Sequence, residues 1–131
     1  MLDTNICIYL MRGSSRKLDA RFASLHFGDA CISSITLGEL RVGIEKSSHR
    51  KKDEAVMAAL LGDLVVEPFD TPAAVSYGIL RAAVPSRQRN ALDRLIAAHA
   101  ISLGATLVTS NEGDFAGYGG LQVENWALPA K

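Results

Sequence analysis

Residues 92–114 read LDRLIAAHAISLGATLVTSNEGD, and this stretch decides the fold. Its first half predicts a helix that ends at Gly104, because apolar residues recur at helical spacing: Leu92, Leu95, Ile96, Ala100 and Leu103. Its second half, residues 105–109, is a short apolar run without alternating polar positions, which is typical of a buried strand. The run leads directly into the polar turn 110–114. A helix followed by such a strand predicts an α/β protein with a parallel sheet.

The rest of the chain repeats this alternation of helices with short apolar strands. Further strands are predicted at residues 1–3, 30–34, 64–66 and 121–123. Helices are predicted to begin at Thr4-Asn5 and end at Gly13, to span residues 17–27, and to begin again at Thr36, Asp53 and Thr71-Pro72. We therefore expect one domain over residues 1–131, with three layers and a short central parallel sheet covered by helices on both faces.

Several details of these helices are specific enough to be tested. The pattern Thr36-x-x-Glu39 matches a capping box and would place Glu39 in the first turn of its helix. Val75, Ile79 and Ala83 are predicted to form the apolar stripe of the helix that Thr71 caps. Residues 47–53 (SSHRKKD) are predicted to be a solvated loop, and residues 85–90 (PSRQRN) a polar break.

Composition excludes several classes of protein. The 14 Lys and Arg residues balance 14 Asp and Glu residues, so a polyanion would have to be bound by local positive charge. No apolar run approaches the roughly 20 residues that cross a bilayer, and the amino terminus lacks a signal pattern, so a cytoplasmic protein is expected. Cys7 and Cys31 lie in apolar segments without metal-site spacing and are predicted to be reduced core residues.

Acidic residues occur where the predicted strands end. Asp3, Glu39, Asp93 and the Asn111 to Asp114 turn all follow strands or open helices beside them, and such positions meet at the carboxyl edge of a parallel sheet. Carboxylates gathered there would repel one another unless a cation neutralised them. Mg²⁺ prefers oxygen ligands, so the pattern predicts a Mg²⁺ site that could also accept Mn²⁺.

Each acid also has a structural interpretation. Glu39 could only satisfy its own capping box, Asp93 could only complement the helix dipole, and Asp3 could be an ordinary cap. Their coincidence at one edge favours a functional site. His99 lies six positions after Asp93 and faces another side of the helix, so it is predicted to be a hydrogen-bonded structural residue. Trp126 is predicted to anchor the carboxyl-terminal segment.

Four motifs in this order resemble the PIN-domain family, and within it the VapC-type toxins of bacterial toxin-antitoxin pairs. They are MLDTN at 1–5, SITLGELRVG at 34–43, DRLIAAHA at 93–100 and VTSNEGDF at 108–115. The likeness extends across nearly the whole chain, with residues 120–126 closing the pattern. It implies a small α/β nuclease that cleaves RNA endonucleolytically with Mg²⁺ or Mn²⁺. It also implies a cognate antitoxin inserted into the active-site groove, a homodimer or toxin-antitoxin hetero-oligomer, and tRNA as the substrate.

The same resemblance assigns roles to individual residues. Asp3, Glu39 and Asp93 match the three catalytic acids. Asn111 stands where many members carry a fourth acid, and Asp114 could replace that charge. Polar residues that usually support the metal ligands correspond to Thr4, Asn5 and Thr109.

Two departures from the family pattern concern the amino terminus and the substrate surface. Almost nothing precedes Asp3, so the true start could lie upstream. Relatives often carry a longer Gly-containing loop where this chain has Arg87-Gln88-Arg89. Among the basic residues, Arg87, Arg89 and Arg94 are predicted to bind RNA phosphates.

Two other functions compete with the nuclease. A Mg²⁺-dependent aspartyl-phosphate phosphatase also has an Asp after its first strand, but it usually reads D-x-D, whereas this chain has Asn5 at the third position. A non-catalytic PIN-like module that binds RNA or protein is the other alternative. The retained acids argue against it.

Overall fold

The structure is a computed structural model that describes residues 1–84 and 91–127. Its helices are α1 (Thr4–Arg12), α2 (Arg16–Ala23), α3 (Ser34–Glu45), α4 (Arg50–Leu61), α5 (Thr71–Ala83) and α6 (Ala91–Leu103), with a short 3₁₀ helix at Glu112–Phe115. Its strands are β1 (Cys31–Ser33), β2 (Val65–Glu67), β3 (Leu107–Val108) and β4 (Val123–Glu124).

All strand pairs are parallel. β1 pairs with β2, and β3 pairs with β4. The first residues of the chain lie between these pairs, because the Leu2 N–H donates to the Cys31 carbonyl (2.9 Å) and the Val108 N–H donates to the Met1 carbonyl (2.8 Å). Leu2 also forms a parallel bridge with Val108. The predicted parallel sheet is confirmed, and it brings Asp3 to its centre.

Neighbouring residues in the sheet belong to two different cores. Leu2, Ile32 and Val108 pack in a cluster with residues of α1 to α4. Met1 and Leu107 pack in a second cluster with residues of α5 and α6. Since successive side chains of a strand point to opposite faces, helices cover both faces of the sheet. The predicted three-layer arrangement is confirmed.

Several helices begin earlier than predicted, and in α3 and α5 a different residue provides the cap. Ser33 caps α3 and accepts from the Ile35 N–H, so Thr36 lies inside the helix and Glu39 is its sixth residue, beyond the first turn. The expected capping box is therefore wrong. Asp70 rather than Thr71 caps α5 and accepts from the Ala73 N–H. α4 begins at Arg50, inside the segment predicted to be a loop.

The predicted apolar stripe of α5 is also wrong. Val75 and Ile79 have exposed fractions of 59% and 68%, whereas Ala73 and Leu80 are buried. Helix α2 ends at Ala23, four residues before the predicted end, and Phe27 is 72% exposed. The predicted break at 85–90 lies outside the described residues.

Two further predictions concern the cysteines and the membrane. Cys7 and Cys31 are both unpaired; Cys7 is buried and Cys31 is partly exposed. Burial raises the pKa of the Cys7 thiol to about 12. Among the described helices, none has the length and apolar character needed to span a bilayer.

Candidate active site

Asp3 lies where the central segment of the sheet meets α1. It caps that helix, and its Oδ1 accepts from the Ile6 N–H at 2.9 Å. The Thr109 side chain, at the end of β3, also hydrogen-bonds the Asp3 carboxylate. Burial nevertheless raises the pKa of Asp3 above its ordinary value, and the charges of Glu39 and Asp114 raise it further. A role of Asp3 as a helix cap does not by itself explain why two other acids lie near its carboxylate.

Glu39 is held from a different helix. The Thr4 hydroxyl, in the first turn of α1, donates to Glu39 Oε1 at 2.6 Å. Thr36 Oγ1, one turn before Glu39 on α3, lies 3.3 Å from Thr4 Oγ1. The side chain thus points toward α1 and Asp3 rather than back to the start of its own helix. This contact excludes the interpretation of Glu39 as a local cap.

Asp93 is the third residue of α6 and is partly buried. Burial is the main reason that its pKa rises to about 6, and Asp3, Asp114 and Glu39 each raise it further. Acids from four separate segments therefore lie close enough to interact, because Glu39 and Asp114 act on Asp3, and these three act on Asp93. The structure brings Asp3, Glu39 and Asp93 together, as expected from their positions after a strand or at the start of helices beside the sheet.

Asp114 and Asn111 differ in their relation to this cluster. The charge of Asp114, in the 3₁₀ helix, acts on the pKa of both Asp3 and Asp93. Asn111 precedes that helix without capping it through its side chain, and its backbone N–H donates to Thr109 Oγ1 at 3.0 Å. Of the two candidates for the fourth position, Asp114 is the one whose charge acts on Asp3 and Asp93.

The side chains gathered here have the chemistry of a divalent cation site. They provide carboxylate and hydroxyl oxygens, and the carboxylates give the site an excess of negative charge. Within residues 1–84 and 91–127, no three His, Cys, Asp or Glu side chains are arranged so that they could hold one ion directly. Mg²⁺ commonly keeps several waters and takes only one or two protein carboxylates. The residues therefore fit a hydrated Mg²⁺ or Mn²⁺ ion better than a fully dehydrated one.

The supporting and substrate-binding candidates have different environments. Thr109 is fully buried and Asn5 is exposed. Arg94, next to Asp93, has an exposed fraction of only 3%, and its Nε has no hydrogen-bond partner among the described residues. Arg87 and Arg89 lie outside the described residues.

A groove beside the cluster runs between α1, α3 and α4. It has a volume of about 480 Å³, and its apolar lining includes Ile8, Met11, Leu40 and Val56. Glu39 forms part of its wall, together with the charged residues Arg12, Lys52 and Asp53.

Sequence reasoning missed two residues near the site and predicted the environment of two others. Thr36 was interpreted as a cap, and Ser33 was not singled out; the only available signal was the run of hydroxyl residues Ser33, Ser34 and Thr36. His99 is a hydrogen-bonded buried residue, as predicted, with Nδ1 at 2.8 Å from Ser33 Oγ. Trp126 packs against the core of α1 to α4, as predicted.

Comparisons with known proteins agree with this architecture. The family model described as "PIN domain" matches residues 1–121. The "tRNA(fMet)-specific endonuclease VapC" of Shigella flexneri is 39% identical over 129 residues, covering 97% of each chain. The "Ribonuclease VapC2" of Haemophilus influenzae is 36% identical and covers 96% of each chain. The "Crystal structure of DNA bound VapBC from Salmonella typhimurium" contains a chain with a TM-score of 0.85 and 37% identity, again covering 96% of both.

Proposed function

The chain belongs to the PIN-domain family, and on that basis we propose that it is a metal-dependent endoribonuclease, the toxin of a toxin-antitoxin pair. The observation that carries this proposal is the convergence of Asp3, Glu39, Asp93 and Asp114. Burial, followed by the charges of the other three acids, raises the pKa of Asp93 to about 6. Such an arrangement costs stability in the free protein. A cation that the acids share would offset the cost and supply the chemistry.

We assign the metal to the buried end of the cluster. Asp3 and Asp93 would bind Mg²⁺ or Mn²⁺, with Glu39, Asp114 and Asn111 contributing directly or through water. Bound there, the ion would lower the pKa of a water molecule and neutralise charge that develops on a phosphoryl oxygen. Thr4 orients Glu39 and Thr109 orients Asp3, while Asn5 is an exposed polar residue that could contact the RNA or a metal-bound water.

Arg94 is the described cation best suited to the substrate. Arg94 has an exposed fraction of only 3%, and its Nε has no hydrogen-bond partner within residues 1–84 and 91–127. A buried cation with unmet hydrogen-bonding capacity is costly, and a bound phosphate would offset that cost. Its neighbour in sequence, Asp93, belongs to the catalytic cluster. We therefore include Arg94, with Arg87 and Arg89, in the proposed RNA-binding surface. A relative named for tRNA(fMet) supports tRNA as the substrate.

We place the antitoxin in the groove between α1, α3 and α4. Its apolar lining suits the apolar face of a helix, and its contact with Glu39 would let the antitoxin cover the active site. The solved Salmonella relative is a VapBC complex. Val56→Glu, inside the groove, should abolish copurification with the cognate antitoxin. Ala58→Glu on the exposed side of α4 should not, and equal effects would argue against this groove.

The deciding experiment is cleavage of purified tRNA, with the RNA ends sequenced. Wild type should produce new RNA ends in the presence of Mg²⁺ or Mn²⁺ and none in EDTA. The new ends should reappear when metal is restored. Asp93→Asn should abolish them, whereas Asp63→Asn, the same change at an exposed site outside the cluster, should not. Identical end profiles for wild type and Asp93→Asn would favour a non-catalytic RNA-binding module. Hydrolysis of p-nitrophenyl phosphate without RNA cleavage would favour the phosphatase.

A further inference from the structure

A buried histidine joins the helix of Asp93 to the start of the helix of Glu39. His99, on α6, is fully buried, and its Nδ1 lies 2.8 Å from the hydroxyl of Ser33. The ring also packs edge-on against Phe69, with centroids 5.4 Å apart. None of these contacts involves the four acids directly.

Ser33 has two roles in this link. It is the last residue of β1, and its Oγ accepts the Ile35 N–H at 3.1 Å as the cap of α3. A hydroxyl has two acceptor sites and one donor, so it can hold the helix amide and the imidazole together. Ser33 and His99 are both fully buried, so water cannot replace the hydrogen bond between them if it is lost.

The hydrogen bond between His99 and Ser33 lies six residues from an acid along each helix. His99 follows Asp93 by six residues on α6, and Glu39 follows Ser33 by six residues on α3, each a rise of about 9 Å. A hydrogen bond at that point fixes how far α6 can slide or rotate against α3. Displacements near 1 Å at reacting groups can cost about 100-fold in rate.

We propose that His99 is a positioning residue, whose hydrogen bond to Ser33 sets the separation of Asp93 from Glu39 and hence the geometry of the metal site. This inference rests on the proposed nuclease function. It assigns His99 no contact with metal or RNA. Its loss should therefore weaken metal binding and turnover more than it weakens RNA binding.

Two amide substitutions separate positioning from packing. The Asn amide of His99→Asn reaches the position of Nδ1 and can keep the bond to Ser33, whereas the longer amide of His99→Gln reaches the position of Nε2 and cannot. Gln matches the volume of the ring more closely. A merely structural role therefore predicts that Gln is tolerated better, and positioning predicts that Asn is.

The readouts are kcat on tRNA and the Kd for Mn²⁺ alone, measured by electron paramagnetic resonance. His99→Asn should stay within about threefold of wild type. His99→Gln should lose at least tenfold in kcat and bind Mn²⁺ several-fold more weakly, with KM little changed. Ile96→Val, an equally buried change on the same helix, should lower Tm without altering the Kd for Mn²⁺.

The outcomes that overturn this inference differ from those that overturn the nuclease. If wild type binds Mn²⁺ and cuts RNA while His99→Gln matches it or exceeds His99→Asn, the histidine is structural. If wild type neither binds Mn²⁺ nor cuts RNA, both proposals fail. Should His99→Gln fail to fold, Ser33→Ala provides the second variant, and unchanged Mn²⁺ binding there would count against the link.

Discussion

Two groups of four charged residues lie on opposite sides of α3, and they are organised in opposite ways. On its outer side, Arg41, Arg50, Glu45 and Glu54 alternate in sign and are largely exposed. The hydrogen bond from Arg41, followed by that from Arg50, lowers the pKa of Glu45. The inner group contains only acids, and there burial and mutual repulsion raise the pKa of Asp93 to about 6.

This difference separates a surface network from a site that needs a ligand. The outer group contains two arginines and two glutamates, so its positive and negative charges balance and it needs no further ligand. Within residues 1–84 and 91–127, the charges that shift the pKa values of Asp3 and Asp93 are all acidic, so the described part of the chain leaves the negative charge of the inner group for a ligand to neutralise. Charge pattern, rather than the number of acids, identifies the candidate active site.

After Asp93→Asn, the largest effect is expected from the fourth acid of the inner group. Asp114→Asn removes one charge from the field at Asp3 and Asp93 and should lower kcat by about 10- to 100-fold, with weaker Mn²⁺ binding. Asn111→Ala should stay within about threefold of wild type. Cleavage rates over a Mn²⁺ titration check both variants. A severe loss in Asn111→Ala with a normal Asp114→Asn would make the amide the fourth ligand.

Arg94 tests whether a buried cation, whose Nε has no partner in the part of the chain that the structure describes, serves the substrate. Arg94→Met should weaken tRNA binding about tenfold and raise Tm, because a buried charge with unmet hydrogen-bonding capacity is costly in the free protein. Filter binding in the Asp93→Asn background avoids cleavage during the measurement. The matched control is Arg16→Met, an exposed arginine on α2, which should change neither quantity. Loss of stability without loss of affinity would make Arg94 structural.

These contrasts show which parts of the site could be predicted from sequence. Acids placed after strands converge because parallel strands end at one edge, so the place of Asp3 could be predicted from topology. Asp93 follows no strand, since α6 comes after α5, and it was predicted from its place in the first turn of a helix beside the sheet. The hydrogen bond from Thr4 to Glu39 could not be predicted, because the direction of the Glu39 side chain depends on where α3 begins. Thr36 and Ser33 are both acceptable caps by residue type, and β1 ends at Ser33, which decides between them.

The fold was predictable to a similar depth. Short apolar runs and helical periodicity predict the layers because burial on both faces requires them. The orientation of α5 was not predictable, since its apolar residues occupy more than one face. It packs mainly against α6, and Leu80 joins a core cluster with residues of that helix, while Ala73 is also buried. Val75 and Ile79 were consequently assigned to the wrong side.

The stability of the metal-free protein should reveal the repulsion within the inner group. The pKa of Asp93 is raised on folding, so wild type loses stability as pH rises from about 4 to about 6. Asp93→Asn in EDTA should therefore be more stable at pH 7.5, by about 1–2 kcal/mol after allowance for the partial exposure of this side chain. The gain should vanish below about pH 4. Urea unfolding at several pH values measures it, and a variant less stable at pH 7.5 would contradict the repulsion.

The smallest effect is expected from the outer group. Arg50 contacts Glu45 through both Nη atoms, at 2.9 and 3.0 Å, but both side chains are about half exposed. Arg50→Gln should therefore shift Tm by less than about 4 °C, and 1 M NaCl should remove the shift. The sign of its pH dependence is opposite to that of Asp93, because a lowered pKa at Glu45 provides stability that is lost as pH falls through that value. Cleavage of tRNA should not change, since the outer group is complete without a ligand. A marked rise in KM for tRNA would instead show that this face carries part of the RNA surface, and the division between the two groups would fail.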